Sequence, residues 1–504
     1  MSSGFSILDQ KECPHTDAPK AAFFTDLNLN QIIDRIGAQW GPMVKNFYRY
    51  FPLDEECEAY RRAVYADVKR EPVYLALCDF LENAKGMETA GKQKQAVISS
   101  LQKCVYHLRE MESYCLAFGT LGEELQRLQP KSEGLQKFSR LLTEYLNSSD
   151  YNNMKERVTQ LLEKLSGIRI RITYERDRIV VSEVTAQEGT NPGDYESFVR
   201  QNGDPEAKPL RNPFYGAPGW TDLERECLEI LVRKEPDLFR DIRECAEEYG
   251  TYQEACLMRF LSEIPFYLSF CSFQREMEEK GYRFTAPTVR RDGEMYARGL
   301  YDLALACVAV RENRRVVSNS MEYGENESFF VLTGPNQGGK TTFARSLGQL
   351  IYFTKMGLDV PAESANVHYF KDILTHFSVE ESVETGRGKL KEELVRLAPM
   401  MAQERENCFV VINELFTTAA TYDAEIMGRK VLERFIGQGC RGIYVTHLKE
   451  LASVHPRIVS LRAMLDKDRI QTFQIARSEA EESACAINQV NKYRLTYEQL
   501  KERL

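Results

Sequence analysis

The sequence lacks the features of a secreted or membrane-spanning chain. Its thirteen cysteines include no C-x-x-C pair and no Cys/His cluster with zinc spacing. No apolar run reaches the roughly 18 residues of a membrane helix, and the first residues contain no basic region followed by an apolar core. We therefore expect a cytoplasmic protein with free, buried thiols and no contact with a membrane.

An excess of basic residues is also absent. Lys and Arg number 66 against 75 Asp and Glu, which gives a net charge of -9. Because such a chain does not coat nucleic acid through its whole surface, any contact of that kind needs a local basic patch. The 504 residues, 43% of them hydrophobic, suffice for two or three domains with large cores.

Helical periodicity dominates the first half of the chain. Proline is sparse from residue 30 to residue 167, and apolar residues such as Val97, Leu101, Val105 and Leu108 recur at intervals of three or four. The helical pattern resumes after Trp220. These spacings predict a domain of long helices that is interrupted once.

The interruption begins with a different pattern. Residues 168–184, IRIRITYERDRIVVSEV, alternate in polarity and predict a β-hairpin, and residues 185–219 are rich in Gly, Pro, Asn and Asp, which predicts an irregular insertion. Arg169 and Arg171 fall on one face of the hairpin, and Arg176 lies in its polar middle. A solvated face is one interpretation of these arginines, and contact with nucleic acid is the other.

A phosphate-binding motif follows the apolar segment 329–332. Its residues are Gly334, Pro335, Asn336, Gln337, Gly338, Gly339, Lys340 and Thr341, with Thr342 continuing into a predicted helix. Glycines let backbone N–H groups surround a phosphate, and the helix N-terminus adds positive partial charge. Lys340 is predicted to reach the β- and γ-phosphates of ATP, and the Thr341 hydroxyl to bind Mg²⁺.

Two further apolar strands end in polar residues suited to the same site. Residues 409–412 lead into Asn413 and Glu414, and residues 442–445 into Thr446 and His447. Glu414 is predicted to be the general base that polarises water, and His447 to bond the γ-phosphate. Asn413 stands where an Asp is usual, so we expect it to contact Mg²⁺ through water. An inactive site with a neutral strand end is the alternative.

These motifs together resemble the ATPase domain of the MutS family of DNA mismatch-repair proteins. GPNQGGKTT is similar to the family's GPNMGGKST loop, and residues 360–362 match its VPA stretch. Residues 413–415 and 421–423 resemble its Asp-Glu strand and its S-T-Y-D turn. Residues 445–451, VTHLKEL, resemble its A-T-H-x-x-E-L segment.

The resemblance implies a fold, a domain order and a set of partners. The implied fold is an ABC-type α/β P-loop ATPase domain at 311–504, preceded by a mainly α-helical core and lever domain at 31–310 with a β-hairpin and loop insertion at about 168–219. Residues 1–30 are expected to form a leader. The resemblance also implies ATP and Mg²⁺ as ligands and a homodimer with composite sites. Asn319 would lie near the adenine, and Gly386, Arg387, Gly388 and Lys389 would complete the partner's site.

The chain also departs from the family pattern. About 300 residues precede the ATPase segment, which leaves no room for the family's N-terminal mismatch-reading domain. The family's G-R-G-T-S is replaced by residues 416–420, FTTAA. We therefore expect a shortened MutS-like ATPase that does not read mismatches as the family does.

The leading hypothesis is a dimer that clamps mismatched, branched or otherwise non-standard DNA through local basic positions such as Arg169, Arg171 and Arg176. A nuclease or repair partner is compatible with it. The alternative is a nucleotide-gated dimeric scaffold with very slow hydrolysis that engages a protein partner. A transporter-type or chromosome-structural ATPase would need an LSGGQ-like segment or a long coiled coil, and the sequence contains neither.

Overall fold

The computed structural model describes residues 4–10, 21–49, 54–97, 99–168, 170–175, 178–183, 228, 230–377, 389–402 and 406–478. The chain divides into two compact units. The first comprises residues 1–69, 132–134 and 262–504, and the second comprises residues 70–131 and 135–261. This division differs from the predicted boundary at 310/311, since residues 31–69 and 262–310 belong to the same unit as the segment predicted to be the ATPase domain.

The helices and strands follow one another in a regular order. The helices are α1 Phe23–Asp26, α2 Leu29–Ile36, α3 Pro42–Arg49, α4 Glu55–Val68, α5 Glu71–Ala96, α6 Ser100–Leu128, α7 Glu133–Leu146, α8 Ser149–Gly167, α9 Pro236–Glu248, α10 Ala255–Glu263, α11 Pro265–Glu279, α12 Leu303–Arg311, α13 Lys340–Lys355, α14 Lys389–Met400, α15 Thr421–Gly437 and the 3₁₀ helix Lys449–Ser453. The strands are β1 Ile170–Glu175, β2 Arg178–Glu183, β3 Thr288–Arg290, β4 Met295–Leu300, β5 Asn319–Tyr323, β6 Phe329–Thr333, β7 Ser364–His368, β8 Ile373–Phe377, β9 Phe409–Asn413, β10 Arg441–Val445, β11 Ile458–Leu465 and β12 Gln471–Arg477. Within the described residues, no helix is long and apolar enough to cross a membrane, and the cysteines are free thiols.

Long helices build the second unit, as their apolar spacing predicts. Helices α5 and α6 pack closely because small residues line their contact; a Cβ atom at Gly86 would lie 2.5 Å from the Ser113 hydroxyl oxygen. Aromatic side chains fill the core, and the rings of Phe138 and Phe260 stack with centroids 3.6 Å apart. Burial of such rings stabilises the helical packing, since each contributes a large apolar area.

The predicted hairpin is present as β1 and β2. The strands pair in antiparallel register from Ile170 opposite Glu183 to Glu175 opposite Arg178. Arg171 lies in β1 opposite Ser182. Arg169, Arg176 and the predicted insertion at 185–219 lie outside the described residues. The interpretation of the hairpin arginines therefore stays a prediction.

A six-stranded sheet forms the centre of the first unit. Its order is β12-β11-β6-β10-β9-β8, with β12 antiparallel to β11 and the other neighbours parallel. The strands β6 and β9 are buried along their whole length, which explains their continuous apolar sequences. A second sheet has the order β3-β7-β4-β5. The parallel arrangement brings the carboxyl ends of β6, β10 and β9 to one edge.

The first described residues are part of the first unit's core. Phe5, Ile7 and Leu8 are buried, and the buried carboxylate of Glu263 accepts hydrogen bonds from the Ser6 hydroxyl and the Ile7 N–H, both at 2.8 Å. Two separate donors thus compensate the burial of this charge. Residues 4–10 of the segment predicted to be a leader are therefore packed and hydrogen-bonded within the unit.

Candidate functional site

Strand register places the predicted site residues at one edge of the six-stranded sheet. Strand β10 lies between β6 and β9, and Val445 pairs with Leu332 on one side and with Asn413 on the other. Parallel strands present their carboxyl ends together, and this edge is where open α/β sheets bind ligands. The loops that leave the three strands therefore meet in one place.

The loop after β6 has the backbone that its glycines allow. Gly334 and Gly339 have φ angles of 125° and 85°, in the region that side-chain-bearing residues rarely adopt. A Cβ atom at Gly334 would also lie 3.0 Å from the Cβ of Ala463. Helix α13 begins directly after the loop at Lys340, so its first free N–H groups face the region that the loop surrounds.

Lys340 is folded back over this loop. Its side chain is buried, and Nζ donates hydrogen bonds to the carbonyl oxygens of Gly334 at 2.9 Å and of Pro335 at 2.8 Å. The loop's own backbone thus holds the ammonium group at the start of α13. A phosphate bound at the helix N-terminus would therefore lie close to a positive charge that is already in place.

Thr341 and Asn413 are brought into direct contact. The Thr341 hydroxyl lies 3.0 Å from Oδ1 of Asn413 and donates to it. Both residues were predicted near Mg²⁺, and the structure places their oxygen atoms side by side. Neither group is charged, so any cation held here would depend on phosphate oxygens for negative charge. Within the described residues, no group of three or more His, Cys, Asp or Glu side chains is arranged to hold a metal ion.

Glu414 and His447 form the second polar contact of the site. His447 Nε2 lies 3.2 Å from Oε1 of Glu414, and the two side chains are 49% and 34% exposed. Both therefore remain accessible to a water molecule and a ligand. The Glu414 N–H donates to the carbonyl of Val445 at 3.0 Å, and Glu414 itself has a φ of 55°. A left-handed backbone at a non-glycine residue is a local strain of the kind found at functional sites.

The replacement of the family's glycine by Phe416 has a visible structural consequence. Phe416 has a φ of 63°, a conformation that glycine adopts freely and phenylalanine does not. Its side chain is buried in the core cluster beside Leu415 and Val431. The backbone strain costs about 1 to 2 kcal/mol, and burial of the ring contributes about 1.5 to 3 kcal/mol. Packing can therefore offset the missing glycine.

The loop after β6 and the polar residues that follow β9 and β10 contribute to the lining of a cavity of about 600 Å³. Of the predicted site residues, the lining includes Asn319, Asn336, Gln337, Gly339, Lys340, Thr341, Thr342, Glu414 and His447. Gly334, Pro335 and Gly338 belong to the loop but are not part of this lining. The rest of the lining combines the apolar side chains of Leu305, Ala309, Val316 and Val317 with the charged side chains of Asp302, Arg314 and Arg315. One cavity thus brings the glycine-rich loop together with Glu414, His447 and two arginines.

Asn319 and Phe473 define one wall of the cavity. Asn319 donates from Nδ2 to the Phe473 carbonyl at 3.0 Å and accepts from the Ile475 N–H at 2.7 Å, so its amide is bonded to strand β12. Phe473 is 45% exposed, and its ring would lie 3.5 Å from a Cβ atom at Gly339. Sequence reasoning missed Phe473, because nothing in its neighbourhood along the chain indicates that β12 returns to the loop.

Several predicted residues cannot be placed at this cavity. Gly386, Arg387 and Gly388 lie outside the described residues, and Lys389 is the first residue of α14. Two lysines near the carboxyl end of α5, Lys92 and Lys94, form ion pairs with Glu88 and Glu110. Those pairs lower the positive charge that this helix end offers to nucleic acid.

Comparison with known proteins agrees with this geometry. The family model of MutS domain V matches residues 330–491, which include most of β6, the glycine-rich loop that follows it, β9 and β10. The DNA mismatch repair protein MutS of Pseudothermotoga lettingae is 26% identical over 258 residues, which are 49% of this chain and 30% of that protein. The protein MutS of Shouchella clausii is 24% identical over 238 residues, 47% of this chain and 26% of the relative.

A plant relative matches a shorter segment. The DNA mismatch repair protein MSH6 of Arabidopsis thaliana is 34% identical over 139 residues, 27% of this chain and 10% of that protein. In each of these relatives the match covers less than a third of the relative's own length. The resemblance carried by the sequence motifs is thereby confirmed: residues 330–491 match domain V of the MutS family.

Proposed function

We propose that the protein binds ATP in the cavity at the sheet edge and hydrolyses it to ADP and phosphate. The observation that carries the proposal is the meeting of Lys340, Thr341, Glu414 and His447 in one cavity from separate segments of the chain. Each has the chemistry that phosphoryl transfer requires, namely a cation for the phosphates, an oxygen ligand for Mg²⁺, a base for water and a hydrogen-bonding imidazole.

Each of these groups has a role in the proposed hydrolysis of ATP. Glu414 orients a water molecule and accepts its proton while the water oxygen bonds to the γ-phosphorus and the bond to the bridging oxygen of ADP breaks. His447, in contact with the Glu414 carboxylate, hydrogen-bonds a γ-phosphate oxygen. Lys340 and the N-terminus of α13 neutralise the phosphate charge.

The oxygen atoms of Thr341 and Asn413 fit a hard cation that prefers oxygen ligands. Mg²⁺ bound there would withdraw charge from the phosphates. Because Asn413 is neutral, we propose that it bonds a water of the hydrated ion and that Thr341 supplies the direct ligand.

The neutral amide of Asn413 leads to a prediction. Asn413→Asp should lower the Mg²⁺ concentration for half-maximal turnover by about 10-fold, because a carboxylate attracts the cation where an amide has no charge. Magnesium titrations of ATP hydrolysis measure it. Asn326→Asp is the matched control. Asn326 is exposed in the turn before β6, at the end of that strand away from the glycine-rich loop. Equal magnesium dependence in both variants would contradict the role of Asn413.

The basic test is the release of phosphate from ATP by the purified wild-type chain. Turnover that depends on both ATP and Mg²⁺ supports the proposal. Bound ATP with no phosphate released above the rate of ATP in buffer would support the second candidate, a nucleotide-gated scaffold that engages a protein partner. The specific observation that favours this candidate is the pairing of Thr341 with an amide instead of a carboxylate.

We further propose that the protein acts as a homodimer on DNA. The support is its family, whose related proteins are named for DNA mismatch repair. Gly386, Arg387, Gly388 and Lys389 would complete the partner's ATP site, and Arg169, Arg171 and Arg176 would contact DNA phosphates. A net charge of -9 restricts such contacts to local positions.

DNA binding gives a prediction of its own. Affinity for branched or mismatched duplexes should fall by more than about 10-fold between roughly 50 and 200 mM salt, because phosphate contacts release counterions. Gel shifts with branched, mismatched and fully paired duplexes measure it. Substitution of Arg169, Arg171 and Arg176 by serine should weaken DNA binding. Arg127→Ser, at an exposed arginine paired with Glu124, should not. Binding that all these variants retain would exclude the hairpin as the contact.

A further inference from the structure

A buried carboxylate contacts the loop that carries Glu414. Glu393 lies in α14 and is 1% exposed, and its Oε2 accepts a hydrogen bond from the Phe416 N–H at 3.2 Å. Phe416 is two residues after Glu414. An ionised carboxylate is costly to bury unless donors compensate it, so this contact is a specific feature of the core and not a chance surface pair.

The position of Glu393 is itself fixed by strand β8. His376 Nε2 lies 3.3 Å from the main-chain carbonyl of Glu393 and donates to it, and Arg396 donates to the carbonyl of Phe377 at 3.2 Å. Burial, followed by the charge of Arg396, lowers the pKa of His376 to about 4. The ring is therefore neutral near pH 7, with its Nε2 proton directed at Glu393. Helix α14 is thus bonded to β8 at Glu393 itself and at Arg396.

The loop after β9 depends on such external contacts. Glu414 and Phe416 have φ angles of 55° and 63°, so two of three consecutive residues are left-handed. The Glu414 N–H is bonded to Val445 of β10, and the Phe416 N–H is bonded to Glu393. Strained backbone of this kind persists only where the surroundings hold it. Two different elements, β10 and α14, thus hold the N–H groups at the two left-handed residues of this turn.

We propose that Glu393 is a positioning residue for ATP hydrolysis, holding the left-handed turn at Phe416 so that the carboxylate of Glu414 stays directed into the cavity. This inference rests on the proposed ATPase function. Glu393 does not line the cavity, so it acts through the loop and not on the nucleotide. Its loss should therefore slow hydrolysis and leave ATP binding unchanged.

A pair of neutral variants of similar size separates this role from general stability. Glu393→Gln keeps an oxygen that accepts the Phe416 N–H, whereas Glu393→Met fills the same space without an acceptor. Glutamine keeps the shape of the glutamate, and methionine is an apolar side chain of similar volume, which buried sites often tolerate in place of a carboxylate, so both variants should fold. Glu433→Met, at an exposed position of α15, is the control for loss of a carboxylate on the surface.

Full-chain kinetics and hydrogen exchange test the inference. Glu393→Met should lower kcat by at least about 10-fold with KM within about 2-fold, while Glu393→Gln stays within about 3-fold of wild type. Exchange of the Phe416 amide proton, read by mass spectrometry, should accelerate by at least about 10-fold in the Met variant alone. Glu433→Met should match wild type in both measurements.

The outcomes are distinct. Wild-type kcat in Glu393→Met, equal loss in the Met and Gln variants, or a raised KM at constant kcat would each overturn the positioning role alone. Absence of turnover in the wild-type chain would overturn the proposed ATPase function and this inference with it.

Discussion

Replacement of Glu414 by glutamine is expected to lower the rate of ATP hydrolysis at least about 100-fold while ATP affinity stays within about 3-fold of wild type. The amide has nearly the shape of the carboxylate and keeps an oxygen for the contact with His447 at 3.2 Å, but it cannot accept the proton of the attacking water. Because Glu414 is left-handed, a substitution of equal shape leaves the backbone as it is. The variant should therefore hold ATP without cleaving it.

Single-turnover hydrolysis and equilibrium binding of ATP measure the two expectations separately. Glu425→Gln on α15 is the matched control, because Glu425 lies outside the cavity lining and forms an ion pair with Arg429 on the same helix. Hydrolysis in Glu414→Gln at the wild-type rate would exclude Glu414 as the base. Equal loss of affinity and rate would instead show that Glu414 contributes to nucleotide binding.

Lys340→Ala is expected to weaken ATP binding at least about 100-fold, because hydrogen bonds between charged groups each contribute about 1.5 to 3 kcal/mol and tenfold in affinity corresponds to about 1.4 kcal/mol. In the structure Nζ bonds to the carbonyls of Gly334 and Pro335, so the variant also loses two contacts that hold the loop. Both effects act against binding.

Equilibrium dialysis with labelled ATP measures this loss directly. Lys430→Ala, at an exposed lysine on α15, removes the same charge far from the loop along the chain and should bind as wild type does. A fold check by thermal unfolding belongs with the assay, since Lys340 is buried. Unchanged ATP affinity in a folded Lys340→Ala protein would contradict the proposed phosphate site.

Much of the candidate site follows from local sequence. The glycines at 334 and 339 are needed for positive φ angles, and an apolar strand before them and a helix after them are both readable from the residues. Apolar segments ending in Asn413–Glu414 and Thr446–His447 likewise indicate buried parallel strands with polar ends. Such signals are local because the conformation of a turn and the apolar pattern of a short strand depend mainly on neighbouring residues.

Other parts of the site depend on contacts between distant segments. Asn319, which is predicted near the adenine, lines the cavity and has its amide bonded to the main chain of β12, and Phe473 reaches the loop from an antiparallel edge strand. Similarly, the bond from Phe416 to Glu393 joins residues 23 positions apart. No spacing rule predicts these contacts, because side-chain partners across a core depend on strand order and on how helices pack.

The amino-acid order thus indicates the resemblance to the MutS family, the long helices, the hairpin and the glycine-rich loop after β6, because periodicity, glycine placement and strand ends act over short distances. The folded chain adds what these patterns leave open. It places 31–69 and 262–310 in the same unit as the sheet, pairs Thr341 with Asn413 and His447 with Glu414, and buries Phe416 in a left-handed turn. These features arise from strand order and packing between segments far apart in the chain, and their energies depend on burial that exists only after folding.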